Sequence, residues 1–364
     1  MKHTTKLLCG LLAAVMLLSV MLTGCTLPKP TLPGVGNVAA TYGGGQEITT
    51  GEYLAYLYMN FNNVYQNYYY YAQYGMDPWE QVVPYGEDDE ELPLADYITA
   101  TTKDSISRII ALDKMMKDNG LNWLEEDEKS VDEELATMEP DAFIDYGISN
   151  DSFTKAYKNM MLTEYSVFMG LYGKGGINEV KDTEIRKYFN KNYLSYKMIT
   201  VNLTDDQGKA LSKEDKQKQL DLLNGYLKIY NEKGFEKAMD AYNQDNAAEG
   251  EKVTASKDEE NRNDMDATEL DSDTVKAIRS VEVGKAKIVE YGGDDEKNPT
   301  TASLIVRLDI NEPKDLYTDS YESILYALKQ EDFDKEVDKV MDKITVQFND
   351  KVISKCDPKE FAEE

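Results

Sequence analysis

One histidine, His3, and three cysteines, Cys9, Cys25 and Cys356, are all that this 364-residue chain offers of the side chains that most often bind zinc or move protons near neutral pH. A His/Cys zinc site, a histidine general acid or base and a disulfide framework all lack raw material. Cys356 has no histidine to activate it and reads as a bland surface or C-terminal cysteine. Carboxylates, by contrast, are plentiful: 68 Asp and Glu face 40 Lys and Arg, for a net charge of −28. Acidic patches at residues 87–91, 258–260 and 294–296 invite a calcium reading, but none has the Gly-containing D-x-[DN]-x-[DN]-G spacing, so they read as solvated loops. No surplus of Lys and Arg exists to displace counterions from phosphate, which argues against nucleic acid as a partner. Nothing in the pattern calls for a cofactor or a metal.

These scarce residues fall largely in the first segment. Lys2 and Lys6 form a basic start, residues 7–21 are apolar over the length of a signal peptide, and Leu22-Thr23-Gly24-Cys25 follows. That tetrapeptide resembles the bacterial lipobox, so residues 1–24 are expected to be a cleaved signal and Cys25 a lipidated N-terminus. Cleavage would remove His3, Cys9 and two lysines, leaving a chain without histidine at a net charge of −30. The expected location is extracytoplasmic, on the bacterial cell membrane, held by acyl chains because so negative a protein is repelled by anionic lipid. Residues 25–37, with Pro28, Pro30, Pro33, Gly34 and Gly36, read as the lipidated cysteine and an extended tether.

Beyond the tether the spacing predicts a short strand at 38–42, a glycine turn at 43–45 and a helix capped by Thr49 or Thr50. On that helix Leu54, Leu57, Phe61, Val64 and Tyr68 form a core stripe. Tyr56 and Tyr70 fall on the opposite side with Tyr69 and Tyr71 at its flanks, so all four are candidate binding residues: exposed tyrosines give flat, amphipathic contact area with few rotors. Burial under residues 78–94 or a neighbouring helix is the competing reading. Those residues look like a loop, because Pro78, Pro84, Gly86 and Pro93 interrupt an acidic run. Helices follow from Asp96 to Gly120, around 125–138, from an Asn150 or Ser152 cap to Tyr172, and from Asp182. The pairs Met115-Met116 and Met160-Met161 read as core.

After Tyr193 the texture changes. Strands at 196–203, 287–291 and 302–308, with helices through Leu223 and Phe235 and a turn near Ile278, make a small α+β module, while 246–266 reads as a charged flexible loop. A long amphipathic helix over 321–346, broken between Gln330 and Asp332, ends the pattern.

Several stretches together are similar to the PrsA-type foldase lipoproteins and the related SurA-like chaperones: Val38-Ala-Ala-Thr-Tyr-Gly43, Glu47-Ile-Thr-Thr-Gly-Glu-Tyr53, Gly147-Ile-Ser-Asn-Asp-Ser-Phe153 and Val180 to Phe189. The resemblance implies an α+β fold in which a mainly helical chaperone domain, built from N- and C-terminal segments (38–193 and 313–364), carries an inserted parvulin-like domain (194–312). It also implies a client of unfolded or secreted polypeptide, with homodimerisation as an option. In the family two strands carry histidines, and the matching runs here are Met198-Ile-Thr-Val201 and Ala302-Ser-Leu-Ile305. Met198 and Ser303 therefore stand at the histidine positions, and the family's Gly-rich strand with its Phe has no match within 246–270. The expectation is a holding chaperone whose peptidyl-prolyl isomerase activity is lost. An active isomerase, or a ligand-binding lipoprotein on the same fold, is the alternative.

Overall fold

Thr49 and Glu52 set the entry to the first helix reciprocally. The Glu52 N–H donates to Thr49 Oγ1 (3.2 Å) and the Thr49 N–H to Glu52 Oε2 (2.8 Å), a capping box that occupies two donors a helix start leaves open. In front of it a hairpin turns through Gly43, Gly44 and Gly45, all at positive φ, where a side chain would be strained. The computed structural model describes residues 37–362 apart from 73, 87–89, 140–141, 248–254, 256, 258–260, 294–297 and 314. The expected signal, Cys25 and the tether lie outside the described residues, as does most of each acidic patch.

In chain order the elements are β1 (Val38–Tyr42), β2 (Gln46–Thr49), α1 (Thr50–Ala72), a 3-10 turn at Pro78–Glu80, the hairpin β3 (Val82–Tyr85) and β4 (Glu90–Pro93), α2 (Leu94–Asn119), α3 (Glu125–Leu135), α4 (Asn150–Tyr172) and α5 (Asp182–Asn192). There follow β5 (Tyr193–Asn202), α6 (Lys213–Lys233), α7 (Phe235–Asp245), β6 (Asn263–Asp266), α8 (Ser272–Arg279), β7 (Ala286–Tyr291) and β8 (Thr301–Leu308). Last come α9 (Leu316–Asp319), α10 (Tyr321–Met341), β9 (Gln347–Phe348) and α11 (Asp350–Ile353). The protein is α+β. It divides into two units, one comprising the described residues through Glu179 and from Lys329 onward, the other Val180–Leu328. The second unit begins earlier and ends later than the 194–312 read from sequence.

In the first unit α1 packs against α2 and α4. Leu54, Leu57 and Phe61 meet Ile98, Ile106 and Ile110 of α2 and Phe153, Tyr157 and Leu162 of α4, all buried. The expected methionines agree: Met115 and Met116 are buried, and Met160 and Met161 pack partly buried against the same core. Arg108 on α2 reaches Glu164 of α4 through two donors (2.9 and 3.0 Å) and Asp334 of α10 at 2.7 Å. Beneath that cluster Phe333 is fully buried, edge-on to Phe168 with ring centroids 5.4 Å apart. At the other end of the chain Phe361 packs edge-on against Tyr58.

The second unit is built on an antiparallel sheet in the order β6-β5-β8-β7. Alternation sends Ile199, Ala302, Leu304 and Val306 to one face, under Leu223 and Tyr226 of α6 and Phe235 and Ala238 of α7. Leu194, Tyr196 and Ile305 point the other way, against Ala277 and Ile278 of α8. Both faces of the sheet are thus covered. Beside it, the Tyr317 hydroxyl of α9 donates to Asp182 Oδ1 of α5 (2.8 Å), and Arg186 lies 3.9 Å from the Tyr317 ring.

Several readings of the sequence are corrected. Residues 78–94 hold a 3-10 turn and a hairpin, because a two-stranded ribbon is all edge and tolerates Pro84 and Pro93. Part of 246–266 is strand: Asn263–Asp266 pairs with Tyr193–Tyr196, and Arg262, paired with Asp264 at 2.8 Å, donates to the Asp309 carbonyl at 3.1 Å. The first strand of the module starts at Tyr193, three residues early, and α4 is capped one residue earlier than read, by Ser149, whose Oγ accepts from the Ser152 N–H. Helix α10 runs unbroken through Gln330 and Asp332, with neither Gly nor Pro between Tyr321 and Met341 to interrupt it.

Two predictions follow from this packing. Phe333→Ala leaves a cavity in a sealed core and should cost about 3–5 kcal/mol in urea unfolding, while Asp334→Asn, on a partly exposed pair, should cost at most about 1 kcal/mol. The second concerns alkali. Burial pushes the Cys356 thiol from 9.0 up to about 11, lifts Tyr53 and Tyr157 above the usual phenol range, and a hydrogen bond to Asp104 takes Tyr85 up to about 12. The folded chain therefore holds these protons more tightly than the unfolded one. Their contribution is complete below about pH 9 and is lost as pH rises through about 11 and 12, so the urea midpoint should stay level from neutral pH and then fall.

Candidate functional site

The register of the central strands decides what Met198 and Ser303 can do. Pairing of β5 with β8 sets Thr200 opposite Ser303 and Met198 opposite Ile305, so Met198 and Ser303 are diagonal neighbours on the face that α8 covers. They converge on a third residue, because the Tyr291 hydroxyl on β7 lies 3.0 Å from Ser303 Oγ and 3.7 Å from Met198 Sδ. Thr200 Oγ1 completes the group, 2.9 Å from Ser303 Oγ. A thioether only accepts, which orients the chain of donors: Thr200 to Ser303, Ser303 to Tyr291, Tyr291 to Met198 sulfur. A parallel contact sits at the sheet edge, where the Tyr196 hydroxyl donates to Met265 Sδ at 3.3 Å.

This is a hydroxyl and thioether network. Beside it, burial raises the Tyr196 phenol above its ordinary range. Ser303 is fully buried. Its hydroxyl is spent inside the unit, on Thr200 and Tyr291. β6 occupies a sheet edge within the stretch where no Gly-rich strand was recognised, and it carries Met265 rather than a phenylalanine to that face.

The tyrosines of the first unit separate into two groups. Tyr56 is a correction: it is 2% exposed, and its hydroxyl accepts from Asn159 Nδ2 of α4 at 3.2 Å. Every residue from Thr50 to Leu57 is buried, so the first two turns of α1 have no outward side for Tyr56 to occupy. Beyond Phe61 the helix emerges. Tyr69 and Tyr70 are 56% and 54% exposed, and Tyr71 is half-buried, stacked with Tyr68 at 6.1 Å. Two members were not singled out from sequence. Tyr74 is 62% exposed and meets Tyr70 edge to face at 4.9 Å, their hydroxyls hydrogen-bonded, and Trp79 stacks on Tyr65 at 4.8 Å, with Tyr65 in turn 6.1 Å from Tyr69. The four-residue step from Tyr70 to Tyr74 was a readable signal, whereas Trp79 arrives through the turn at Pro78–Glu80. Burial under residues 78–94 thus applies to Tyr65 and not to Tyr69 or Tyr70.

A separate groove of about 840 Å³ opens between the turn at Gly43, Gly44 and Gly45, α2 and residues 343–347. Its α2 wall consists of paired charges, Lys114 with Asp118 at 2.8 Å and Lys117 with Asp113, and it contains none of the residues singled out above. Among the described residues no group of His, Cys, Asp and Glu could hold a metal ion, and no helix is long and apolar enough to cross a membrane. Cys25 lies outside them.

Neither a protein-family model nor a curated protein matches this chain. Among solved structures it is similar to foldase protein PrsA from Streptococcus pneumoniae, at 14% identity over 72% of this chain and 93% of that one, with a TM-score of 0.33. It is also similar to the foldase PrsA of Lactococcus lactis (13% identity, 78% and 100% covered, TM-score 0.31) and to the peptidylprolyl isomerase PrsA of Bacillus anthracis (11%, 65% and 96%, 0.30). Identities and TM-scores are low, and it is the residues above that decide what this chain can do.

The network makes a specific prediction for stability. Ser303→Ala removes the links to Thr200 and Tyr291, Tyr291→Phe those to Ser303 and Met198, and each should cost about 0.5–1.5 kcal/mol. Combined, they should cost less than the sum by about 0.5 kcal/mol or more, because they share a hydrogen bond. Strict additivity in urea unfolding would show that the two hydroxyls act independently.

Proposed function

We propose that this chain is a lipid-anchored, extracytoplasmic chaperone that holds unfolded or newly secreted polypeptides, and that its sheet unit has no peptidyl-prolyl isomerase activity. The observation that carries the reading is the exposed aromatic surface of Tyr69 and Tyr70 on a helix whose other end is buried in the core, with Tyr74 in the turn just beyond it. Such a surface offers apolar contact to many sequences without requiring one shape, and each ring has few rotors to freeze on binding. The sequence resemblance to the PrsA-type and SurA-like chaperones points the same way. Twisting a prolyl peptide bond means lowering a barrier of about 18–20 kcal/mol with polar groups aimed at the amide, and the buried Ser303 has its hydrogen bonds satisfied internally. The lipobox-like Leu22-Thr23-Gly24-Cys25 supports the anchor, and the charge of −28 speaks against nucleic acid as a partner.

Three measurements check this. The protein should suppress aggregation of a chemically unfolded test protein at near-stoichiometric ratio, and Tyr69→Ser with Tyr70→Ser should raise the ratio needed several-fold; no suppression by the unaltered chain overturns the holding role. In a protease-coupled proline-peptide assay the rate should match the uncatalysed one. Acceleration that disappears with Met198→Ala and Ser303→Ala would restore the enzyme reading. Finally, Cys25→Ala should move the expressed protein out of the membrane fraction.

A further inference from the structure

The aromatic surface at the end of α1 sits in a stretch of chain that contains no positive charge: between Lys29 and Lys103 there is neither lysine nor arginine. The segments that follow it carry exposed acids, Asp77 and Glu80 on the turn with Trp79 and Glu90 and Glu91 on β4 of the next hairpin. Among the described residues, a cation on this stack comes from far along the chain. Lys359 places its Nζ 5.7 Å from the centre of the Trp79 ring, on the same stack that continues through Tyr65 to Tyr69.

Deepening the holding role proposed above, on which it rests, we infer that this surface selects extended polypeptide segments in which lysine or arginine stands beside aromatic or aliphatic residues. The faces of tyrosine and tryptophan rings carry negative quadrupole potential and attract ammonium and guanidinium groups. Carboxylates on the rim add to that attraction and repel an acidic segment, and the negative field of the whole chain steers cationic segments toward it. Tyr69, Tyr70 and Tyr74 supply the apolar contact, so a cation alone is not sufficient. A second copy of this chain, itself at −28, is the wrong partner for such a surface.

The test uses the full chain and two labelled unfolded peptides with the same aromatic and aliphatic residues, one carrying about four lysines and the other glutamates in their places. Fluorescence anisotropy should show the cationic peptide binding about tenfold or more tightly, with the preference shrinking several-fold at high salt. Tyr69→Ser, Tyr70→Ser and Tyr74→Ser together should remove most of that binding while leaving the thermal unfolding midpoint in place, since all three are more than half exposed. Glu80→Gln with Glu90→Gln and Glu91→Gln should retain binding and flatten its salt dependence. Equal affinity for the two peptides, a preference untouched by the tyrosine changes, or self-association of the chain that displaces the cationic peptide would each overturn the inference. The two readings fail separately: aggregation suppressed without charge preference leaves the holding role standing, and cationic binding without suppression leaves the selectivity standing.

Discussion

The complete enclosure of the first two turns of α1 is the constraint on which the first unit depends. Thr50 to Leu57 are buried on every side, between the β1–β2 hairpin, α2 and α4. Such a position makes a stranded polar group costly; the Tyr53 hydroxyl is buried there without a hydrogen-bond partner, while three other polar side chains of the segment are satisfied. Glu52 is tied to the Thr49 N–H and to Lys155, Thr50 Oγ1 donates to the Asn37 carbonyl, and Tyr56 takes a donor from Asn159. Gly51 shows how close the fit is, because a Cβ there would lie 2.7 Å from Ser152 Oγ. From this enclosed start the helix runs on to Ala72, and the aromatic residues Tyr65, Tyr68, Tyr69, Tyr70 and Tyr71 stand on its later turns.

In the second unit the corresponding constraint is register. Shifting β5 against β8 by one residue would turn Met198 and Thr200 from the α8 face to the α6–α7 face and break the hydroxyl chain at once. Because Ser303, Tyr291 and Thr200 bond one another, that register carries polar as well as apolar specification, and a satisfied buried network favours a single arrangement. The same pairing leaves Ser303 buried, with its hydroxyl shared between Thr200 and Tyr291.

How much of this was legible in the sequence follows from where the periodicity had a single meaning. Strands β5, β7 and β8 and the caps at Thr49 and Gly120 could be read because alternation and turn chemistry agreed with burial. Tyr56 could not, since a helical wheel assigns an outer side that an enclosed helix does not possess. Strand β6 was hidden by its composition: Asn263, Asp264 and Asp266 are poor strand formers, and their pairing is imposed by β5 from outside the segment. The expected break in α10 was a real signal with another cause. Leu325 and Phe333, both buried, are eight residues apart and so lie about 80° apart around a helix, which is a shift of the apolar stripe rather than a kink. That shift brackets Lys329, where the two units divide.

The convergence of Met198 and Ser303 shows why residue type and residue position answer different questions. Strand order and register bring the two positions together, as a site built from them would require, and that placement depends only on backbone pairing and alternation. Chemistry depends on the groups standing there. Imidazoles could donate, accept and change charge near neutral pH, whereas a thioether and a buried hydroxyl can only complete a fixed hydrogen-bond chain. At these two positions the groups present stabilise the sheet through Thr200 and Tyr291. The rings of Tyr69, Tyr70 and Tyr74 at the end of α1 are, by contrast, more than half exposed. The buried hydroxyls of Ser303 and Tyr56 are satisfied by neighbouring side chains, whereas the aromatic side chains of this chain divide between enclosed and uncovered positions.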